Sequence, residues 1–569
     1  MKAVAIDLET TGLGWNAEVT TIGVAFEQDG KIRTRSVTLT GVDLFTECAT
    51  IPQARDWLQG FVREAEWLVF HNASFDLAYL LKLGLLTADE IRGRCCDTLI
   101  LAATTGPHES MGLQALATEF NISASDNWGQ MKAKRANLSR IPSEEISIYC
   151  EQDCEVTYRL WLKLWPKACE MYTCEWIAGE GDYCLLLAQM RERGVRLNMD
   201  FVRERLAANK ARGEELLKTI LIPNGINSPG ERTNVLNWLN QRGWKAQAKT
   251  KNDAPSLDEE ALIQAKLQLP DEVSQTVLSA LIEARGLEKE SSTYLAGYLE
   301  HVDVAGFVHP LFSAGGTRTW RLSSSNPNAQ NIPKELQDDL FTASEPGGSL
   351  VVLDYSQAQL RLAAMYAQET EMAKLFALPD TDIHTATAIA LFGPEQGPKR
   401  RAEGKGANFS VLFGSGASGV ALTYKLPFEL AVEVLQEHRR RFPRLQSMSR
   451  TVINKWKEEG VLILPYGKRN WRKASDPPSH YFAGWNYLIQ GAEGTIMQHA
   501  MMEIDKAGLT IVSQVHDSLY INVPSGVDPE EVLAKASRLM ESAVPDNLSK
   551  RTNPRIVMPT EGHIKRRLE

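Results

Sequence analysis

The chain has no run of about 18 or more apolar residues, the length a membrane-crossing helix needs. Its start, Met1-Lys2-Ala3-Val4-Ala5-Ile6-Asp7, shows no signal-peptide pattern, so a cytoplasmic protein that is not membrane-bound is expected. Cysteine is sparse. All 8 cysteines lie at or before Cys184, and spacings such as Cys95-Cys96 and Cys150-x3-Cys154 fit no zinc or disulfide framework. Reduced thiols within a core are expected, as in a reducing compartment. Internal repeats and low-complexity tracts are absent. Positive charge is short overall, with a formal net charge of −9, which at first argues against a nucleic-acid partner. A mean does not report a local surface, however. Lys399-Arg400-Arg401, Lys405, His438-Arg439-Arg440-Arg441, Arg444, Arg450, Lys455, Lys457, Lys468-Arg469 and Arg472-Lys473 crowd one stretch. Any one such run is as often a solvated helix face, but their clustering favours a polyanion.

What is present is 569 residues, 43% hydrophobic and 23% charged, a globular composition too long for one core. Alternation predicts strands over 3–9, 19–27 and 31–39, a helix near 51–64 and a short strand from Trp67 to Phe70, together a mixed sheet flanked by helices. Helical periodicity dominates from about 143 to 220 and returns near 258–268 and 271–300. A stretch rich in Gly, Ser, Asn and Pro over 306–345 leads to a strand (349–354) and a helix (356–368). Helices over most of 369–505, a hairpin at 511–523 and one more helix at 529–543 complete a multidomain α/β and α+β chain.

Asp7 and Glu9, two apart on the first strand, leave the same face and can share a metal ion. Asn72-x3-Asp76 follows the strand ending at Phe70, and Tyr149-x3-Asp153 sets a phenol and a carboxylate one helical turn apart. Asp7, Glu9, Asp76 and Asp153 suit two Mg²⁺ or Mn²⁺ ions, with Tyr149 orienting a water for phosphodiester cleavage. Asp-x-Glu alone is weak, because paired acids on a strand edge are commonly just solvated. In the second half, Asp354 ends the run Leu350-Val351-Val352-Leu353, and Asp517 stands at the tip of the predicted hairpin. Two strand-end carboxylates of this kind are what a pair of divalent metals needs to join nucleotides. Between them, Arg401-x3-Lys405-x3-Phe409-x3-Phe413 lines up two cations and two rings on one helical stripe, suited to a triphosphate and a base. Read alone, the rings are more often core packing.

Asp7-Leu8-Glu9-Thr10-Thr11-Gly12, His71-Asn72-Ala73-Ser74-Phe75-Asp76 and Tyr149-Cys150-Glu151-Gln152-Asp153 resemble the three motifs of a ribonuclease-H-like proofreading 3′→5′ exonuclease. All four metal carboxylates and the tyrosine are present, so the resemblance implies an active nuclease. Nearly the whole chain resembles the family A DNA polymerases, the class of bacterial DNA polymerase I. The run Arg321 to Pro333 is similar to the segment that grips the primer-template minor groove, with Arg321, Gln330 and Asn331 as implied DNA contacts. Asp354-Tyr355-Ser356-Gln357-Ala358-Gln359-Leu360-Arg361 resembles the first metal motif and Gln514-Val515-His516-Asp517-Ser518 the second. Asp354, Tyr355 and Asp517 are thereby implied as metal ligands, two Mg²⁺ (or Mn²⁺) per site, with His516 beside DNA. Arg401, Lys405 and His384 match phosphate-binding positions, Phe409 a position near sugar and base, Asn486 and Gln490 template contacts, and Arg285 and Lys289 contacts of a thumb.

Departures from the family pattern carry their own expectations. Gln359 stands where the family usually has a Glu that blocks a ribose 2′-hydroxyl, and Phe413 where it has a Tyr bonded to that Glu. Losing both partners together can be nearly neutral, so ribonucleotide exclusion is expected to persist. Phe409 lacks a hydroxyl, which implies weak use of dideoxynucleotides. Gly404 and Gly406 each cost about 1 kcal/mol against Ala, implying a looser helix. Glu290 replaces a more usual base. Ser518 replaces a common second acid and is also the residue single-subunit RNA polymerases show, which keeps an RNA-synthesising relative as an alternative. A nuclease with a DNA-binding second half is a further alternative, opposed by the presence of both Asp354 and Asp517, and a nonenzymatic nucleic-acid binder is another, opposed by the number of metal and triphosphate motifs.

The resemblance implies an exonuclease over 1–168, the start of a palm over 169–200, a thumb over 201–305, palm again over 306–375, fingers over 376–500 and the rest of the palm over 501–569. It implies a monomer that works on primer-template DNA and dNTPs, with a helicase and a single-strand-binding protein as helpers. With the exonuclease motif starting at Asp7, no 5′-nuclease domain is expected, which suggests replication of a phage or similar genome in a bacterial host cell.

Overall fold

The computed structural model describes residues 2–40, 47–122, 141–246, 249–250, 252–378, 382–413, 416–424 and 426–567. The chain divides into two compact units, one of Met1–Val195, His309–Asn331 and Ala343–Glu569, the other of Arg196–Val308 and Ile332–Thr342.

The first unit opens with β1 (Ala3–Thr10), β2 (Val19–Gln28), β3 (Lys31–Thr38), β4 (Trp67–Phe70) and β5 (Cys95–Asp97), in the order β3-β2-β1-β4-β5. The first three strands form an antiparallel meander, and β4 and β5 add in parallel. β1 is central and covered on both faces, which is why it begins as the unbroken apolar run Ala3-Val4-Ala5-Ile6. Helix Ser143–Met171 packs on this meander, and the approach is close: a Cβ at Gly23 would lie 2.7 Å from the sulfurs of Cys150 and Cys154. Trp161 and Tyr158 of the same helix anchor the core, where truncating a buried Trp costs about 3–5 kcal/mol.

A second, antiparallel sheet consists of β6 (Ser349–Tyr355), β7 (Thr510–Val515), β8 (Ser518–Val523) and β9 (Thr560–Arg566), in the order β7-β8-β6-β9. The sequence predicts β6 to β8 but not β9, a largely exposed edge strand whose Thr-Glu-Gly-His-Ile-Lys-Arg has no apolar alternation. Helix Ala358–Ala367 follows β6 through Gln357 at φ 56°. Helices Ile383–Gln396, Arg401–Phe413, Phe428–Arg441 and Pro443–Glu459 precede the long, largely buried helix Gly484–Lys506. Gly404 has a packing role beside its cost to the helix. A Cβ there would fall 2.1 Å from the His384 carbonyl oxygen, so the glycine permits backbone-to-backbone packing of two helices.

The second unit packs helices Met199–Leu216, Arg232–Gln241, Glu259–Gln268 and Glu272–Lys289 around Trp238, Leu278 and Leu281. The helix predicted over 271–300 widens after Lys289 into π-turns over Glu290–Ala296. Glu290 accepts from Arg205 at 2.6 and 3.2 Å and from Asn209 at 2.8 Å, so the acid serves an internal clamp of this unit.

Among the described residues no helix is long and apolar enough to cross a membrane, and no disulfide forms. Cys95, Cys96, Cys150, Cys154 and Cys184 are buried, whereas Cys48, Cys169 and Cys174 are exposed rather than part of a core.

Candidate active sites

β1 presents Asp7 and Glu9 on one face, and helix Ser143–Met171 brings Asp153 to them. One ligand oxygen from each lies within 4.8 Å of the others. Asp76, in the first turn of helix Ser74–Lys82, accepts the Leu8 amide at 3.0 Å and is thereby held against β1. Asp97, which sequence reasoning missed, accepts the Asn72 and Ala73 amides at 2.9 Å and so fixes the turn that Asn72 makes at φ 66°. The four carboxylates and Tyr149 line a cleft of about 980 Å³. Burial pushes Asp7 well above the usual carboxylate range, and Asp153, Asp76, Cys154 and Glu9 push the same way. Asp76 is also raised, by burial first, against the Leu8 hydrogen bond. Acids crowded like this are ionised together only when a cation joins them, and an all-oxygen donor set fits Mg²⁺ or Mn²⁺.

At the second sheet, Asp354 of β6 pairs with Ser518 of β8, which sets Asp517, the residue before Ser518, beside Asp354. His516, at φ 52°, turns the tip. Gln330 ties that tip down: its Nε2 donates to the Gln514 carbonyl at 2.8 Å, and its Oε1 accepts the His516 amide at 3.2 Å. Arg321 ion-pairs with Glu493 and, at 3.2 Å, with Asp517, so in this arrangement its guanidinium serves carboxylates. Glu493, only 3% exposed on its side chain in helix Gly484–Lys506, also accepts from Gln359 Nε2 at 3.2 Å. Burial pushes Glu493 up to about 8, with Asp517 and Asp354 adding to the rise and Arg321 opposing it. Sequence reasoning missed this acid, although Asn486, Gln490 and Glu493 share one polar helical stripe. The Tyr355 hydroxyl donates to the Met540 carbonyl at 2.6 Å, which leaves only its main-chain carbonyl as a metal ligand. Asn331, in a 3-10 turn, is exposed.

Helix Arg401–Phe413 packs against helices Ala358–Ala367 and Gly484–Lys506, the bearers of Gln359 and Glu493. Arg401 is forked onto Asp382 at 2.7 and 3.1 Å, and Asp382 also caps helix Ile383–Gln396 through the Thr385 amide; these bonds hold Asp382 at about 2. Lys405 is exposed, its Nζ 5.9 Å from the Phe409 ring centre, and the His384 ring lies 5.5 Å from the same ring. Burial lowers His384 to about 4. Asn408 Nδ2 donates to His384 Nδ1 at 3.2 Å, so the neutral imidazole carries its proton on Nε2. Asn408 Oδ1 accepts from His438 Nε2 at 3.1 Å, making Asn408 a hub that the sequence did not reveal. The Phe413 side chain lies outside the described residues.

In the second unit, Arg285 is half-buried and donates to the Pro229 and Leu257 carbonyls at 2.7 and 2.5 Å, commitments that compete with the DNA contact expected of it. Lys289 is exposed at the end of its helix.

The profile of DNA polymerase family A matches residues 201–556, and that of a 3′-5′ exonuclease matches residues 1–168. DNA polymerase I of Rhizobium leguminosarum is 29% identical over 527 residues, 86% of this chain and 50% of that protein. The thermostable DNA polymerase I of Thermus caldophilus is 30% identical over 383 residues, 63% of this chain and 45% of that protein. The chain thus spans about half the length of the curated relatives it matches. A solved structure described as the POL domain of Pol1 from M. smegmatis in complex with DNA primer-template and dNTP superposes with a TM-score of 0.79 at 21% identity, covering 99% of this chain and 95% of that one.

Proposed function

This chain belongs to DNA polymerase family A, with an exonuclease domain ahead of the polymerase domain, and from that premise we propose that it extends a primer 3′-hydroxyl with dNTPs on a DNA template and trims that end with its 3′→5′ exonuclease. The observation that carries the reading is the adjacency of Asp354 and Asp517 across β6 and β8, with the helix of Arg401 and Lys405 packed on the helices behind them.

Asp354 and Asp517 would hold the divalent ions of synthesis, and Asp7, Glu9, Asp76 and Asp153 those of cleavage. Ions bound there supply an activated oxygen nucleophile and neutralise charge on the phosphates. The protein's part is positioning and electrostatics. Arg401 exchanges the Asp382 carboxylate for phosphate oxygens, which its planar fork fits equally well. Lys405 adds a point charge, and His384 donates from Nε2 as a neutral group. Phe409 lies under the sugar and base. Gln330 and Arg321 face the primer-template from the hairpin side, with Asn331 and His516 beside them and Asn486 and Gln490 on the template. Exposed Lys289, with Arg285, meets the DNA backbone from a thumb of residues 201–305. In the cleft, Tyr149 orients the attacking water. The same reading extends to a cytoplasmic monomer that copies a phage or similar genome beside a helicase and a single-strand-binding protein.

Primer extension with Mg²⁺ tests it: growth with dNTPs and shortening without them is the expected outcome. Asp354→Ala should cut extension by at least about a thousandfold, the size of a lost metal ligand, and leave shortening intact. An Asp354→Ala protein that extends primers normally sinks the reading.

A further inference from the structure

Glu493 is an acid close to Asp354 and Asp517 to which the polymerase reading gives no task. It sits mid-helix, with a side chain 3% exposed, in helix Gly484–Lys506, which packs against helix Ala358–Ala367. Its Oε2 takes hydrogen bonds from both Arg321 Nη2 and Gln359 Nε2, the latter at 3.2 Å. An oxygen receiving two N–H donors is an acceptor, so the Gln359 amide must face it with nitrogen and turn Oε1 away. That Oε1 is buried and has no hydrogen-bond partner among the described residues. The hydrogen bond to Glu493 therefore sets the orientation of the Gln359 amide, and through Arg321 the same acid is registered against Asp517.

We infer that Glu493 is a positioning residue for sugar discrimination, clamping the Gln359 amide so that this side chain stands as a fixed wall at the sugar of the incoming nucleotide. The inference rests on the polymerase reading, which sets Gln359 at that sugar. It also accounts for the amide: a carboxylate at 359 has no N–H to donate to Glu493 Oε2, so this chain carries its acid at 493 and a neutral donor at 359. Without the clamp a Gln side chain rotates freely about its own bonds, and the wall loses its place.

Single-nucleotide incorporation kinetics, with dNTP and rNTP on one primer-template, read the effect directly. Glu493→Ala should lower the dNTP-to-rNTP ratio of kcat/KM at least about tenfold, whereas Glu493→Gln, which still accepts from Gln359, should hold the ratio within about threefold. A Glu493→Ala protein that loses both substrates equally overturns the inference, because a merely structural residue leaves the ratio alone. In a Gln359→Ala background, adding Glu493→Ala should change the ratio no further, and additive losses also overturn it. Should Glu493→Ala fail to fold, Gln359→Glu decides between the outcomes: impaired dNTP use rescued by Glu493→Gln supports the clamp, and no rescue refutes it. A parent protein that extends with neither nucleotide condemns the polymerase reading instead, an outcome distinct from a discriminating parent with an indifferent Glu493 variant.

Discussion

Around Asp7 the groups that act on the carboxyl are Asp153, Asp76, Glu9 and the Cys154 thiol, all raising it, whereas Asp517 and Glu493 share the guanidinium of Arg321. Both sites start from strand-end acids in one chain, yet the cleft assembles like charges and the hairpin interleaves them with a cation. Arg321 thus offsets part of the repulsion at the hairpin, where burial with Asp517 and Asp354 still holds Glu493 up at about 8, while Asp153, Asp76, Cys154 and Glu9 all add to the rise of Asp7 in the cleft.

Removing the internal cation gives the largest expected change in stability. Arg321→Ala should lower the unfolding free energy of the metal-free protein by about 2–3 kcal/mol, because it leaves Glu493 and Asp517 without their partner. Urea denaturation in chelator measures this, and a loss under about 0.5 kcal/mol would mean the hairpin is no better compensated than the cleft. A smaller change of opposite sign is expected in the cleft. Asp7→Asn should stabilise the metal-free protein by about 1–2 kcal/mol by relieving the crowding of acids, and Mg²⁺ should then raise the Tm of the parent more than that of the variant. Equal Mg²⁺ shifts for the two proteins would erase the contrast.

Acid sharpens the comparison with the smallest effect. His438 is lowered by burial to about 3, so it is neutral when folded but protonates near 6.5 when unfolded. The unfolded chain binds the extra proton, and the stability His438 contributes is complete above about 6.5 and drains as pH falls toward 3. Between about pH 6.5 and 5.5 the loss is about 1 kcal/mol, and His438→Gln should flatten it in pH-dependent melting. In the exonuclease, His71 is lowered by burial as well, but Asp97 beside it pulls it back up.

What the sequence disclosed follows from periodicity and local spacing. Asp7 and Glu9 declare themselves because a strand alternates, Arg401 and Lys405 because a helix repeats near four, and Asp354 and Asp517 because each ends a strand. Residues whose meaning lies in a distant partner stayed hidden. Glu493 reads as an ordinary helical acid until Arg321 and Gln359 are beside it, and Asn408 until two imidazoles flank it. Arg285 reads as a phosphate contact because nothing local reveals that its donors end on the Pro229 and Leu257 carbonyls. β9 escaped because an edge strand needs no apolar face to pair with β6.

The close approach at Gly404 makes two chemically unlike groups mechanically one. With the His384 carbonyl 2.1 Å from where a Cβ would be, the two helix backbones meet directly at Gly404 and leave little room to absorb a shift. Under the proposed function, a displacement of His384 is handed to the neighbouring Lys405, so the two groups meet a triphosphate as one rigid jaw rather than as two independent fingers.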